Sequence, residues 1–268
     1  MRQRAEWQLP KGVSRGTWDY VIEPAIADDY DRFHGEQPLM KLDSDWVAEE
    51  LRRRTQAGRS PELILTADFG CGTARIARRF LSQGFRFLNI DLSSHMLQEA
   101  SRACEPSAGA GQVRSNLVEL DWLKSSSIDI GLCLFSSIGM IRGRANRRAF
   151  LKHLHRVLKP DGCGLVHVHN RHQSWLDPAG PWWLISTFLR SVVDRKCEFG
   201  DRIYAYRGLP KMFLHIYSRG ELQRDLKVAG FEKIEILRLD HRSASVLPGR
   251  GGIFSPLRTG GYFAVCRK

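Results

Sequence analysis

The sequence has no run approaching the roughly 20 consecutive apolar residues that a membrane-spanning helix needs. Its opening stretch, MRQRAEWQLPKG, lacks the apolar centre of a secretion signal, so we expect a cytoplasmic location. Cysteine is sparse and scattered. None of the six cysteines forms a Cys-x-x-Cys pair, which speaks against a zinc site or a disulfide framework. We therefore expect reduced thiols that pack as small apolar groups.

The composition is otherwise that of a globular protein with an excess of basic side chains. A hydrophobic content of 43% is ample for a buried core in a chain of 268 residues. The 41 basic and 29 acidic side chains give a net charge of +12, which favours anionic partners such as RNA, phosphorylated metabolites or lipid headgroups. Basic clusters at 51–59 and 142–148 each adjoin a helix with an apolar opposite face. We interpret both clusters as solvated helix surfaces.

Short apolar runs alternate along the chain with helical patterns, which predicts parallel strands joined by crossover helices. Phe150, Leu154 and Leu158 recur four residues apart, as on the buried face of a helix. The KPDG stretch at 159–162 is predicted to end that helix in a turn. No linker or internal repeat divides this pattern, so we expect a single α/β domain. The seven predicted strands are 63–69, 85–91, 112–118, 128–135, 163–170, 231–239 and 260–268.

The segment ADFGCGTARIA, residues 67–77, places a glycine-rich turn after the first strand. Glycine lets backbone N–H groups approach a ligand, because it has no side chain and tolerates positive φ. The turn has neither the third glycine of a dinucleotide-binding loop nor the Gly-Lys-Ser/Thr ending of a phosphate-binding loop. Asp68 would repel a pyrophosphate but would suit a ligand that carries a cationic amine.

From about residue 17 to the end, the chain resembles the class I S-adenosylmethionine-dependent methyltransferase family. ADFGCGTA is similar to the first motif of the family, FLNIDLSSHML to the second and VELDWL to the third. FLKHLHRVLKPDGCGLVHVHN resembles the helix, turn and strand that follow the fourth strand. Ala74 stands where a third glycine is common, but alanine is small enough to keep helix and strand close.

The resemblance implies a doubly wound, Rossmann-like α/β fold with a seven-stranded sheet, mostly parallel with an antiparallel last strand. It also implies how the single domain of residues 1–268 is organised. The expected parts are an N-terminal helical cover at 1–60, a cofactor-binding core at 61–170, an insertion and hairpin over the acceptor site at 171–217, and the rest of the sheet at 218–268.

The resemblance further implies which residues bind S-adenosylmethionine. Asp91 would accept hydrogen bonds from both ribose hydroxyls, because Ser93 and Ser94 are available for helix capping. Leu92 would pack on the adenine, and Asp121 would accept from its amino group. The complete predicted cofactor set is Asp68, Phe69, Gly70, Cys71, Gly72, Asp91, Leu92, Met96, Asp121, Trp122, Phe135, Ser136, Tyr20 and Tyr30.

Within that set, Phe135 and Ser136 would frame the methionine portion and the reactive methyl group. Trp122 would contribute a backbone donor or an apolar wall. Tyr20 and Tyr30 belong to the segment that resembles the cover of the cofactor.

The implied reaction is methyl transfer to a nitrogen or oxygen of a small-molecule acceptor, by in-line displacement at the sulfonium methyl. Alignment of the acceptor is the main task of the protein, and a general base is optional. The candidates for contact with the acceptor are His169, Asn170 and His215.

A metal site is an alternative interpretation of HVHNRH, because His167, His169 and His172 resemble a metallo-hydrolase pattern. Arg171 occupies the place of the expected aspartate, and a cation there opposes a metal, so we expect none.

Two later segments are predicted to form the acceptor pocket: the aromatic stretch 175–195, with Trp183, and a hairpin at 202–217. The stretch 175–195 suits a helix that covers the pocket, rests on a membrane surface or binds a partner, and we place the covering role first.

Other functions stay open on the sequence. FLHIYSRGEL, residues 213–222, resembles a segment of wobble-uridine tRNA methyltransferases, although FSSIGMIRG lacks the paired histidines of those enzymes. RNA is therefore the second choice of acceptor. A non-catalytic protein that binds S-adenosylmethionine, or one that binds a nicotinamide dinucleotide, is a further alternative.

Overall fold

The computed structural model describes residues 5–35, 37–104, 109–240, 243, 245–249 and 255–268. None of the helices in these residues has the length and apolar character required to cross a membrane. The helices are α1 (Arg15–Ile22), α2 (Pro24–Asp28), α3 (Tyr30–His34), α4 (Pro38–Gln56), α5 (Arg75–Phe80), α6 (Ser94–Ala103), α7 (Arg144–Val157), α8 (Gly180–Val193), α9 (Arg219–Ala229) and α10 (Ser255–Arg258). The strands are β1 (Leu65–Phe69), β2 (Arg86–Asp91), β3 (Ala110–Arg114), β4 (Ile128–Cys133), β5 (Leu158–His169), β6 (Asp201–Tyr206), β7 (Leu209–His215), β8 (Lys233–Asp240), β9 (Val246–Leu247) and β10 (Thr259–Arg267).

The main sheet has the order β3-β2-β1-β4-β5-β10-β8-β9. The first five strands in this order pair in parallel, and β10 is antiparallel to both of its neighbours. The predicted Rossmann-like α/β fold is confirmed. The predicted strand count of the sheet is wrong, because the main sheet has eight strands among the described residues rather than seven. The additional strand, β9, has two residues, which are too few to show an alternating pattern in the sequence.

Two boundaries also differ from the prediction. The KPDG stretch lies inside β5 rather than before it, because Leu158 already pairs with Ile128 and pairing resumes between Cys163 and Ile130. The four residues between them form a bulge that a sequence pattern reads as a turn. The third strand ends at Arg114, four residues earlier than predicted.

Both faces of the sheet are covered by helices, which explains why its central strands are continuous apolar runs. One face packs Phe69 and the apolar side chains of α7 and α9, including Phe150 and Leu226. The other face packs Leu132 with side chains of α4 and α5, including Leu51. All five side chains are 0–1% exposed, so the central strands are rigidly held and can fix the positions of the loops that follow them.

The strands β6 and β7 form a separate antiparallel hairpin outside the main sheet. A parallel bridge between Asn170 and Tyr217 brings the end of this hairpin to the carboxyl end of β5. Helix α1 packs on β7, and Gly16 permits the contact: a Cβ atom there would lie 1.6 Å from the carbonyl oxygen of Lys211. The N-terminal helices and the hairpin therefore meet over the carboxyl edge of the sheet.

Candidate active site

A cavity of about 490 Å³ opens at the carboxyl edge of the sheet, at β1 and β4. The chain continues from β1 to β2 on one side and from β4 to β5 on the other, so this is the switch point at which ligands of such sheets bind. Among the described residues that line it, Asp91 is the only aspartate, and glutamate, lysine and arginine are absent. The residues that line it include Tyr20, Tyr30, Phe33, His34, Gly70, Gly72, Asp91, Leu92, Met96, Phe135, Ser136, His169, Tyr204 and Tyr206.

The wall formed by Gly70, Gly72, Asp91 and Leu92 is here called the glycine-loop wall. Gly70 has a φ of +83°, and a Cβ atom there would lie 2.8 Å from the Cβ of Ser137. Gly72 has a φ of +55°, and its backbone N–H donates to Oδ2 of Asp91 at 2.9 Å. Any side chain at position 70 would fill the space between the loop and the segment after β4. Glycine at these two positions therefore leaves room for a ligand to approach the backbone of the loop.

Asp91, at the end of β2, is the anchor of this loop. Its Oδ1 accepts from the backbone N–H of Ser93 at 2.8 Å, and its Oδ2 accepts from Gly72. Ser93 itself caps α6, accepting from the backbone N–H of Met96. Each carboxylate oxygen keeps a further lone pair for a ligand hydroxyl. Burial raises the pKa of Asp91, and the backbone donors oppose this shift.

Asp68 lies directly before the glycine loop and is 4% exposed. Within the described part of the chain, no donor is hydrogen-bonded to its carboxyl group. Burial raises the pKa of Asp68 to about 7; Arg75 acts in the opposite direction, and the nearby Asp91 and Asp43 add to the rise. A buried, unpaired carboxyl group of this kind would gain a partner from a cationic ligand. Asp68 itself is not among the described residues that line the cavity, which the loop reaches through Gly70 and Gly72.

The loop after β4 holds two consecutive residues in the left-handed region, Phe135 at a φ of +47° and Ser136 at +67°. Non-glycine residues there cost on the order of 1–2 kcal/mol each, and such strain is concentrated at functional sites. The backbone N–H of Ser136 donates to the carbonyl of His167 at 2.9 Å, which fixes the loop to β5. The ring of Phe135 then stands edge-on to the rings of His34 and His169, at 5.6 and 5.3 Å between centroids.

The second part of the wall, here called the hairpin wall, is formed by Phe33, His34, Tyr204 and Tyr206. Nε2 of His34 lies 2.7 Å from the hydroxyl of Tyr206, a contact between α3 and β6. Burial, with a contribution from Arg207, lowers the pKa of His34 to about 4. The imidazole is therefore neutral at neutral pH. His34 was not predicted, because its role depends on a strand that lies 172 residues further along the chain.

Tyr30 connects the two walls. Its ring lies 3.6 Å from the Cβ position of Gly72 and 4.7 Å, between centroids, from the ring of His34. Tyr20 lies beside Tyr206, with 6.1 Å between ring centroids. Burial raises the pKa of both Tyr20 and Tyr30, so both phenols are neutral. These two predicted residues stand where helices α1 and α3 close the cavity.

Other predicted residues lie away from the cavity surface. Phe69 is fully buried in the core, and Cys71 is buried within the loop. Asp121 is exposed, and Trp122, which is 48% exposed, donates from Nε1 to Ser115. The connection after β3 lines the cavity earlier, through Asn116 and Leu117. The shortened β3 explains the displacement, because the chain reaches the edge of the sheet before the VELDWL motif.

The three candidates for contact with the acceptor separate in the structure. His169 lines the cavity, and burial, together with His167, lowers the pKa of His169 to about 3. Asn170 is 2% exposed and does not line it. Its Nδ2 donates to the carbonyls of Pro256 and Thr259, and its Oδ1 accepts from Tyr262, so it braces the end of the sheet.

His215 is fully buried in a network of charges. Its Nδ1 lies 2.8 Å from Asp201 and its Nε2 lies 3.1 Å from Glu221. Glu198, His215 and Glu221 bring their ligand atoms within 4.8 Å of one another, a spacing that a metal ion could bridge. Arg147 pairs with Glu198, and Arg171 pairs with Glu221. The carboxylates already have cationic partners, so we interpret the cluster as structural.

Helix α8 does not form the cavity wall. The residues that line the cavity include Tyr204, Tyr206, Met212 and Leu214 of the hairpin, but none from 175–195. Trp183 instead donates from Nε1 to the carbonyl of Asp201, in β6. The contribution of 175–195 to the cavity wall that the sequence led us to expect is not seen; the hairpin, with which α8 is in contact, lines the cavity instead.

Residues 67–162 match a family model described as a methyltransferase domain. Ribosomal RNA-processing protein 8 of Arabidopsis thaliana is 30% identical over 175 residues, which are 64% of this chain and 50% of that protein. The dTDP-4-amino-2,3,4,6-tetradeoxy-D-glucose N,N-dimethyltransferase of Saccharopolyspora spinosa is 25% identical over 187 residues, 68% of this chain and 65% of that protein. The chain thus spans between half and two thirds of the length of these curated relatives.

A solved structure shares the fold at 18% identity and a TM-score of 0.56, with 94% of this chain and 86% of the other covered. It is 1,6-didemethyltoxoflavin-N1-methyltransferase from Burkholderia thailandensis, with 1,6-didemethyltoxoflavin and S-adenosylhomocysteine bound. Residues 67–162 thus match a methyltransferase domain. The chain as a whole shares the Rossmann-like fold of a methyltransferase that was solved with S-adenosylhomocysteine bound.

Proposed function

We propose that the protein transfers a methyl group to a nitrogen or oxygen of a small, uncharged acceptor. One observation carries this proposal: a protein of net charge +12 lines its cavity with no lysine or arginine among the described residues. A phosphorylated or nucleic-acid acceptor would need cationic or other strong donors for its phosphates. The volume of about 490 Å³ lies within the range typical of small-molecule sites.

In this proposal the glycine-loop wall holds the cofactor. Asp91 accepts the ribose hydroxyls through the lone pairs that its two backbone donors leave free, and Leu92 and Met96 pack on the adenine. Asp68 stabilises the ammonium group of the amino-acid end. S-adenosylmethionine supplies, when bound, an activated methyl group on its sulfonium.

The hairpin wall orients the acceptor. Phe135, held by a strained backbone, directs its ring between His34 and His169 and excludes water from the space that they enclose. Both imidazoles are neutral, so they offer hydrogen bonds rather than charge. Low pKa values make them weak bases, which suits an acceptor that already presents a lone pair. Orientation of that lone pair is then the principal catalytic contribution of the protein.

The decisive experiment is transfer of labelled methyl groups from S-adenosylmethionine into a cell extract, followed by separation of small molecules from RNA and protein. We expect label in the small-molecule fraction with the wild-type protein and none with Asp91→Ala. Label in RNA would instead support the second candidate, which the +12 charge and the similarity to a ribosomal RNA-processing protein favour. Cofactor binding without any labelled product would support the non-catalytic alternative. A cytoplasmic location stays a prediction.

A further inference from the structure

Helix α8 exposes an apolar stripe along its length. Its inner face carries the buried Gly180, Leu184 and Thr187. The hydroxyl of Thr187 donates to the carbonyl of Asp201, which holds this face against the hairpin. The outer face repeats apolar residues every three or four positions, as one side of a helix does. The exposed fractions reach 73% at Trp182 and 86% at Val193. The stripe consists of Trp182, Ile185, Phe188, Leu189, Val192 and Val193.

A cluster of cations borders the stripe at the carboxyl end of the helix. Arg190, Arg195 and Lys196 are all exposed. The carboxylate of Asp194, between them, accepts from the backbone N–H of Lys196 at 2.8 Å. That hydrogen bond and another from the thiol of Cys197 lower the pKa of Asp194, so the carboxylate is ionised and offsets only one of the three cations. The border of the stripe is therefore net positive.

We propose that the stripe docks on an anionic lipid membrane, with α8 lying in the plane of the interface. A contiguous apolar face of this kind on a protein surface marks an interaction site. Tryptophan and aliphatic side chains on one face with basic residues beside them are the composition of helices that lie in a membrane interface. A second copy of the chain is a poorer occupant, because two molecules of net charge +12 repel each other, whereas anionic headgroups attract each of them.

Docking would hold the acceptor side of the cavity next to the membrane. Trp183 of α8 is hydrogen-bonded to Asp201, the first residue of β6, and Tyr204 and Tyr206 of the same strand line the cavity. On the same strand, Ile203 points outward and is 69% exposed. The proposal itself does not depend on methyl transfer, because none of the stripe residues lines the cavity.

Sedimentation with lipid vesicles tests the proposal. The purified protein is mixed with vesicles of phosphatidylcholine alone or with about 30 mol% phosphatidylglycerol, a range in which anionic lipid attracts basic segments. We expect binding to the anionic vesicles, at least about tenfold weaker binding to the neutral ones, and partial release by salt. The triple variant Trp182→Ser, Phe188→Ser, Val192→Ser should lose at least about tenfold in binding to the anionic vesicles.

The matched control is Trp7→Ser, which removes an equally exposed aromatic side chain outside α8 and should bind the vesicles like the wild type. Affinity for S-adenosylhomocysteine checks the fold of each variant and should not change.

A charge variant, Arg190→Gln with Arg195→Gln and Lys196→Gln, should bind neutral and anionic vesicles alike. Absence of sedimentation, equal wild-type binding to both compositions, or equal losses in the triple variant and Trp7→Ser would each overturn the proposal. So would a concentration-dependent dimer that the triple variant dissociates, since the stripe would then be an interface between copies.

Discussion

The two walls of the cavity are built in different ways. The glycine-loop wall consists of residues that directly follow strands of the main sheet, such as Gly70 after β1 and Asp91 at the end of β2. Their hydrogen bonds join segments about 20 residues apart, as between Gly72 and Asp91. The hairpin wall joins α3 to β6 through His34 and Tyr206, across 172 residues. The first wall follows from the sheet, and the second depends on the packing of a hairpin and a helix that lie outside it.

The difference indicates a division of tasks. The largely buried central strands position the wall that we propose holds the cofactor. The hairpin wall rests on contacts between two smaller elements, including the interaction of Arg207 with Asp29 at 3.1 Å. Such elements can change without disturbing the sheet, and we expect them to determine the choice of acceptor. Five predictions test this separation.

The largest effect is expected for Asp91→Ala. Removal of two charge-assisted hydrogen bonds to the ribose, and of the acceptor for the N–H of Gly72, should weaken S-adenosylhomocysteine by about 100-fold or more. Isothermal titration calorimetry measures this loss of affinity. The matched control is Asp121→Ala, which should bind normally because Asp121 is exposed and outside the cavity. Unchanged affinity in Asp91→Ala would show that Asp91 does not bind the cofactor. A loss of affinity in Asp121→Ala would support the assignment of Asp121 to the adenine that was made from the sequence.

A smaller, pH-dependent effect is expected for Asp68. Because its pKa is raised to about 7, the ionised form that a cationic amine prefers is lost below neutral pH. Affinity for S-adenosylhomocysteine should therefore fall as pH drops below 7, by up to about tenfold per unit. Asp68→Asn should bind about tenfold more weakly at pH 8 and show no such dependence, while adenosine binds both proteins equally. Equal losses for the two ligands would contradict the role.

Asp68 also gives a stability test with a definite sign. Its folded pKa lies above the value of about 3.9 in unfolded chains, so the folded state holds its proton more tightly. The contribution of this group to stability is therefore lost as pH rises from about 4 to 7. Asp68→Asn should raise Tm above pH 7 by ~2–5 °C, as measured by calorimetry. A lower Tm would show that the carboxylate has a stabilising partner.

An effect on turnover alone is expected for Tyr206→Phe, which removes the hydroxyl bound to His34. Methyl transfer to the acceptor found in the extract should fall by about fivefold to tenfold, with cofactor affinity within about threefold. Trp183→Phe is the control and should keep normal turnover, because Trp183 is not among the residues that line the cavity. If turnover and cofactor affinity fell in parallel in Tyr206→Phe, the two walls would act as one functional unit.

The smallest effect is expected for Arg207→Gln. Arg207 donates to the carbonyl of Ile26 and to Asp29, and its guanidinium lies 4.8 Å from the ring centroid of Phe33. Its loss should loosen the contact between hairpin and N-terminal helices and weaken S-adenosylhomocysteine by about twofold to threefold. Arg202→Gln, in β6 rather than in the turn that follows it and with its guanidinium over Trp183, should have no effect. A loss as large as that of Asp91→Ala would show that hairpin closure controls cofactor binding.

The sequence was informative where function depends on local order along the chain. The motif ADFGCGTA follows a strand, and the carboxyl ends of parallel strands share one edge, so Gly70, Gly72 and Asp91 could be placed together from the sequence. It did not show which polar residues have their hydrogen bonds taken up within the protein. Asn170 and His215 stand near the same edge, but their hydrogen bonds are taken up by backbone carbonyls and carboxylates that no local pattern reveals.

By itself, then, the sequence determined the α/β class, the glycine loop and the anchoring carboxylate of Asp91, because each depends on periodicity or on neighbours within one strand–loop–helix unit. The tertiary structure decided the rest. It brought His34 to Tyr206, placed the hairpin rather than α8 at the cavity, and left the apolar stripe of α8 exposed. Contacts between segments more than 150 residues apart arise from the packing of whole elements, and composition and spacing carry no record of which faces will meet.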